Sequence, residues 1–289
     1  MSSIFGFILI VGMVFGGYTL AGGKMGIITH SAPFEIMIIL GSAIGAFIVG
    51  NDVHTIKNAG GDLVTAIVGS KWKRSDYQDL LCLMFELIRI AKESPVRAEA
   101  HIENPEESTI FSRYPKITGD HEACEIICDT IRSILMNFDN PHQVEDLFEK
   151  QLDALHEEKL HSAHALQGMA DALPALGIVA AVLGIIKTMA SIDKPPEVLG
   201  QMIGGALVGT FLGVFFAYCL VGPLASKVIG IREQDKNFYA LIRESIVASL
   251  QLHTPQMCVE VARRNLPATS RPSFSEVDEA LKALKKEAA

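Results

Sequence analysis

Thr210, Tyr218, Pro174, Glu35 and Lys187 are the residues whose setting raises a chemical question, because each lies within or beside a long apolar run. A threonine hydroxyl in such a run either bonds its own backbone or lines a path that water can reach. Pro174 lacks an N–H. It costs little in the first turn of a helix, and deeper inside it permits a bend. Glu35 is either an interfacial charge or an acid that takes up protons, while Lys187 has a stem long enough to carry its ammonium to the interface. Glu157, His161 and His164, with His156 nearby, recur at i, i+4 and i+7, which resembles metal-ligand spacing. They lack a cysteine, a fourth ligand and a closing loop, so a hydrated acidic helix is expected there and no metal. The five cysteines, Cys82, Cys124, Cys128, Cys219 and Cys258, are odd in number and suggest reduced thiols rather than a disulfide framework. Cys124 and Cys128 share a helical face and read as core. No glycine-rich phosphate loop and no legible Ser-His-Asp or Cys-His set points to an enzyme.

The elements that carry these residues follow from hydropathy. The chain has 289 residues, 49% of them hydrophobic, with a mean hydropathy of +0.30. The apolar residues come in blocks. Met1 to Gly23 holds no charge, Ser31 to Asn51 only Glu35, Ala172 to Ile192 only Lys187, and Val198 to Ser226 none. A hydrocarbon layer of about 30 Å needs roughly 20 apolar residues as helix. Four spans in two hairpins are predicted, 4–21 with 33–50 and 173–192 with 202–222. Lys24 and His30 lie in the first connection, and Asp193, Lys194 and Glu197 in the second. The first block lacks a basic leading region and a small-residue cleavage pattern, so it reads as a retained helix, not a signal peptide.

The remaining segments must lie on one side of the membrane. They hold 22 of the 25 Lys and Arg residues, the others being Lys24, Lys187 and Lys194. Lys71, Lys73 and Arg74 follow the first hairpin, and Lys227, Arg232 and Lys236 the second, which places both segments in the cytoplasm. A net charge of −8 leaves no generally basic face for nucleic acid. These segments read as helical. One stripe is Leu80, Leu83, Met84, Leu87, Ile88 and Ala91. A second is Cys124, Ile127, Cys128, Ile131, Ile134, Leu135 and Phe138, and a third is Val144, Leu147, Phe148, Leu152 and Leu155. A turn-rich stretch from Ile102 to Pro115 separates the first two. Ser273 and Glu276 have capping-box spacing for a last short helix. No strand pattern of useful length is present.

Small residues spaced by four mark tight helix association in lipid. Gly205, Gly209 and Gly213 do so in the fourth span, Gly177 and Ala181 in the third, Gly41 and Gly45 in the second, and Gly12 and Gly16 in the first. Intramembrane carboxylates mark proton relays and are rare. None falls in the middle of a predicted span. Glu35 lies near the outer end of the second, so an ion-conducting role would need an acid from a partner chain.

Several runs then carry a resemblance. Leu173-Pro174-Ala175-Leu176-Gly177 through Gly184, and Ala206-Leu207-Val208-Gly209-Thr210-Phe211-Leu212-Gly213 with Ala217-Tyr218 and Pro223-Leu224-Ala225, resemble the third and fourth membrane helices of the MotA family of flagellar stator proteins. Val14-Phe15-Gly16-Gly17-Tyr18 and Phe47-Ile48-Val49-Gly50-Asn51 resemble its first hairpin. Ile102-Glu103-Asn104-Pro105-Glu106-Glu107-Ser108 and Arg271-Pro272-Ser273-Phe274 resemble its cytoplasmic parts. The match runs through nearly the whole chain in order. The expected fold is an all-α integral membrane protein. Spans one and two occupy 1–50, a rotor-facing cytoplasmic helical domain 51–171, spans three and four 172–223, and a cytoplasmic C-terminal region 224–289.

The resemblance implies a subunit of a motor in the bacterial inner membrane. Five copies would surround two copies of a MotB-like partner, whose transmembrane aspartate supplies the missing acid. Proton flow would drive torque on the rotor protein FliG, with no cofactor beyond the transported proton. The more distant alternative is a TolQ- or ExbB-like energiser of envelope processes, a group that usually has three membrane helices. Residue by residue, Pro174 and Pro223 match the family's functional prolines, and Thr210 and Tyr218 match pore-facing positions. Ala181 stands where sodium-driven relatives carry threonine, which favours protons. Glu35 matches an acid at the outer membrane edge. The rotor-facing pair matches best at Lys92 and Glu99. The basic residue is Lys rather than Arg, and the spacer is one residue shorter and contains Pro95, so Arg97 is a second candidate contact.

Overall fold

A computed structural model describes residues 2–136 and 140–287. Twelve α-helices occur among them: α1 Ser2–Leu20, α2 Met25–Gly50, α3 Val53–Val68, α4 Arg74–Glu93, α5 Pro95–Glu103, α6 Pro115–Thr118, α7 His121–Leu135, α8 Pro141–Met189, α9 Pro196–Phe216, α10 Gly222–Leu250, α11 Pro255–Asn265 and α12 Phe274–Glu287. No strand occurs among the described residues. The chain divides into two compact units, one of residues 1–69 and 158–232, the other of residues 70–157 and 233–289.

The first unit holds the four expected spans. Helices within Ser3–Leu20, Met25–Gly50, Pro141–Met189 and Pro196–Leu250 are long and apolar enough to cross a bilayer. Three details differ from the sequence reading. The first connection is only Ala21 to Lys24, so His30 lies inside α2, as does Pro33. The third span is the end of the 49-residue α8, because the amphipathic 144–155 stripe runs into the apolar block without a break in helical phase. Pro174 is therefore interior to that helix rather than in its first turn. The fourth span continues from α9 through a π turn at Ala217–Val221 into α10.

Helix α3 was not anticipated. Asp52 caps it by accepting a 2.8 Å bond from the Thr55 N–H, replacing a partner that the first turn lacks. One face, Thr55, Ala59, Asp62 and Ala66, is buried. Another exposes Val53, Val64, Ile67 and Val68. An amphipathic helix with a bare apolar face beside a membrane span suits the bilayer interface.

The second unit has its own core. Leu80, Leu83, Met84, Leu87 and Ile88 of α4 meet Ile127, Cys128 and Ile131 of α7, with Val144, Phe148 and Leu152 of α8. Leu147 of the third stripe faces outward instead, and Phe138 of the second lies outside the described residues. Trp72, the single tryptophan, stacks on Phe238 at 3.8 Å between ring centroids. The turn-rich stretch forms two 3₁₀ turns, Pro105–Glu107 and Phe111–Arg113. The capping box of α12 is complete: the Ser273 N–H donates to Glu276 at 2.6 Å, and the Glu276 N–H donates to the Ser273 hydroxyl at 3.2 Å. Cys82, Cys124 and Cys128 are buried, and burial pushes the Cys82 thiol up to about 12, so it stays protonated.

Candidate functional site

The site lies in the first unit, where α2, α8 and α9 touch through their smallest residues. A β-carbon placed on Gly177 would lie 2.9 Å from the Gly209 carbonyl oxygen and 3.0 Å from the Gly213 Cα. One on Gly184 would lie 2.6 Å from the Ala206 β-carbon, and one on Gly205 2.6 Å from the Ser31 hydroxyl. Backbones this close exclude any larger side chain. The glycine spacing read in spans three and four thus marks a real close approach. Gly12, Gly16, Gly41 and Gly45 differ, since nothing in this chain lies within 4 Å of where their β-carbons would stand.

Glu35 enters this interface. The residue is 8% exposed, and its Oε2 has no hydrogen-bond partner. That oxygen would be 2.6 Å from a β-carbon on Gly209, a position also 3.3 Å from the Ala181 N. Gly209 is thus the gap that admits the carboxylate. A cavity of about 240 Å³ beside it is lined by His30, Ser31, Glu35, Lys187, Thr188 and Gln201, among others. Polar groups from the first turns of α2 and the last turns of α8 therefore converge on one space. Buried carboxylates need such solvation or a partner.

The structure brings Glu35 and Ala181 together at Gly209, next to the half-buried Thr210. Tyr218 and Pro223 lie elsewhere, both exposed, with Tyr218 70% accessible. Tyr218 lies inside the π turn and Pro223 just after it. Pro223 has no N–H to donate to the Cys219 carbonyl, and just before it the Gly222 N–H bonds back to Ala217, five residues away. Pro174 removes the corresponding donor to Ala170 in α8. The π turn was not predicted, although Gly222-Pro223 inside an apolar run was its available signal.

A second feature escaped the sequence reading. Asp62 of α3 is fully buried and accepts from Arg232 Nη2 and from the Ser162 hydroxyl, each at 2.5 Å. This pins α3 to α8 and α10. The three residues are up to 170 positions apart, so no local pattern announces them.

The rotor-facing candidates belong to the second unit. Lys92, Arg97 and Glu99 are exposed, on the end of α4 and on α5. The Lys92 ammonium donates to the His253 carbonyl, so part of its hydrogen-bonding capacity is used internally. No group of three His, Cys, Asp or Glu residues suited to a metal occurs among the described residues, the Glu157, His161 and His164 set included.

Comparison with known proteins places this architecture. The family model "Motility protein A N-terminal" matches residues 4–95, and that of the MotA/TolQ/ExbB proton channel family matches residues 121–237. Motility protein A of Salmonella typhimurium is 35% identical over 286 residues, covering 99% of this chain and 96% of that protein. Its counterpart in Escherichia coli has the same identity and coverage. Chemotaxis protein LafT of Vibrio parahaemolyticus is 34% identical over 279 residues, covering 96% of this chain and 97% of that one. The fold matches the structure of C. jejuni MotAB with a TM-score of 0.74 at 22% identity, over 94% of this chain and 98% of that chain. It matches the flagellar MotAB stator complex from Bacillus subtilis with a TM-score of 0.71 at 21% identity, over 93% and 96%. Full-length identity at this level, joined to four apolar spans and a helical second unit, fixes the assignment: the chain belongs to the motility protein A family of flagellar stator subunits, within the MotA/TolQ/ExbB proton channel family.

Proposed function

We propose that this chain is the ring-forming subunit of a proton-driven stator in the bacterial inner membrane. Five copies surround a MotB-like partner, whose transmembrane aspartate carries the proton. Residues 51–171 and 224–289 face the cytoplasm, where Lys92, Glu99 and Arg97 engage the rotor protein FliG. The observation that carries this reading is the end-to-end relation to Motility protein A, which includes the N-terminal spans as well as the channel-family region. The presence of four apolar spans favours a stator over a three-helix envelope energiser.

The geometry suggests how the parts divide the work. Glu35 and the cavity beside it offer protons an approach between α2, α8 and α9. Thr210 and Tyr218 supply oxygens on the helix that faces the path, and Ala181 withholds one, which disfavours sodium because that ion needs a full set of oxygen ligands. Pro174 and Pro223 loosen the two long helices that run toward the rotor-facing part. One charge crossing 100 mV yields about 2.3 kcal/mol, so repeated transfers suffice for mechanical steps.

The test is swimming together with proton leak in cells that co-express the partner. Thr210→Val and Pro174→Ala chains that insert at the wild-type level are expected to shrink the swimming ring and reduce leak. Undiminished swimming by both variants would contradict the assigned roles. Leak with no partner present would contradict the partner-borne acid.

A further inference from the structure

An apolar groove of about 420 Å³ lies at the end of the first unit where α1 begins and α3 ends. Phe7 and Ile10 of α1 form one wall, Leu220 of the π turn with Pro223 and Leu224 of α10 form another, and Ile67 of α3 closes the end. Gly6 also lines it, with nothing within 4 Å of where its β-carbon would stand. At the groove's polar end the Lys227 ammonium donates to the Ser3 hydroxyl, which in turn donates to the Ala66 carbonyl. A hydroxyl does not neutralise a lysine, and no ion pair among the described residues includes Lys227.

Lys227 is the first charge after the uncharged run from Val198 to Ser226, so it marks where the fourth span meets the headgroups. The outer faces of α1 beside the groove, Phe5 and Ile8 among them, are bare and apolar, as hydrocarbon contact requires. Ile67 joins the groove to the exposed apolar face of α3. An apolar slot of this kind, closed at the headgroup level by one unneutralised cation and a hydroxyl, has the chemistry of a phospholipid: a chain for the slot and a phosphate for the ammonium.

We propose that this groove binds one anionic phospholipid, its acyl chain along Phe7, Ile10 and Leu220 and its phosphate on Lys227 and Ser3. Because Pro223 is part of the wall, the bound chain packs directly against the π turn and steadies it. The proposal requires a membrane-spanning chain but neither the ring nor the rotor contact.

Native mass spectrometry of the full-chain assembly, extracted in mild detergent and titrated with phosphatidylglycerol or with phosphatidylcholine of the same acyl chains, tests it. The wild type is expected to retain phosphatidylglycerol about fivefold better, the worth of one lysine at an anionic surface. Lys227→Gln is expected to bring the two lipids level with no change in subunit number. Gly6→Leu, which fills the slot, is expected to lower retention of both. Equal retention by the wild type, or a preference that survives Lys227→Gln, overturns the proposal. So does a cross-link from Cys219 to a second copy, which would show that a neighbouring chain fills the groove.

Discussion

A single methyl group added at Gly213 probes the closest approach of α8 and α9. A β-carbon there would lie 2.7 Å from the Leu173 carbonyl oxygen, 2.8 Å from the Gly177 Cα and 3.1 Å from the Gly177 N. All three are backbone atoms, so no side chain can rotate aside. Ordinary contact begins near 3.4 Å, and restoring it requires the helices to part by about 0.7 Å. A gap of that size forfeits a quarter to a half of each dispersion contact nearby. The neighbouring contacts of Gly177 with Gly209 and of Gly184 with Ala206 are the ones affected. Overpacking of this kind costs about 1–3 kcal/mol. Near 2 kcal/mol the ratio of native to loosened protein falls about thirtyfold. The assay is the melting temperature of the detergent-purified full chain, read beside the swimming ring of cells that carry it. Gly200→Ala, on the same helix with nothing within 4 Å, is the control. Gly213→Ala is expected to melt lower and swim poorly while the control matches the wild type. Equal melting of both variants, or a larger loss in the control, would refute the packing argument.

Asp62 is fully buried and pairs with the part-buried Arg232, and losing the carboxylate there is expected to cost about 2–3 kcal/mol, below the full worth of a deeply buried pair. Asp62→Asn is expected to lower both membrane yield and melting temperature, and Asp62→Leu with Arg232→Met to recover much of the loss. A wild-type melt for Asp62→Asn would show that the pair contributes little. Glu260 of α11 accepts a two-pronged bond from Arg263 and another from Arg264, which hold its carboxyl down at about 2. Its folded value is below the free value of 4.5, so its stabilisation is complete above pH 4.5 and is lost as pH falls toward 2. The difference between wild type and Glu260→Gln, followed by Trp72 fluorescence, is expected to shrink by about 1 kcal/mol across that window, since solvent screens i,i+3 and i,i+4 pairs on a helix surface. A difference that does not change with pH would remove the ion-pair explanation.

The spans were readable because runs free of charge are long and hydropathy averages over them. Close packing of the third and fourth spans was readable because small residues at every fourth position leave a bare stripe, but that the two stripes meet each other at Gly177, Gly209 and Gly213 came only from the structure. Other features depend on what no local window contains. Polar and apolar parts of α8 share one helical phase, yet hydropathy sees only the second, so Pro174 looked terminal. Helix α3 combines a buried small face with an exposed apolar one, and Gly60 and Gly61 weaken its helical signal. Spacing alone made Gly12, Gly16, Gly41 and Gly45 equal to the others, although nothing in this chain approaches them. Partner and rotor contacts are properties of surfaces, and the roles of Lys92, Arg97 and Glu99 rest on resemblance.

The two prolines lie at one level of the packed helix pair. Each removes a backbone donor, Pro174 from the Ala170 carbonyl and Pro223 from the Cys219 carbonyl, and the second loss is absorbed by a π turn. The Ala170 β-carbon lies 3.9 Å from the place a β-carbon on Gly222 would occupy. The loosened turn of α8 is therefore packed against the loosened turn between α9 and α10. Beyond these turns the helical bonding resumes, and toward α9 the glycine contacts hold the pair together. If only one helix had lost a bond, the intact neighbour packed against it would resist bending at that height. With both losses at one level, the two helices can bend together without breaking the contacts at Gly177, Gly209 and Gly213. Both losses therefore fall where α8 packs against the π turn, apart from the contacts at Gly177, Gly209 and Gly213.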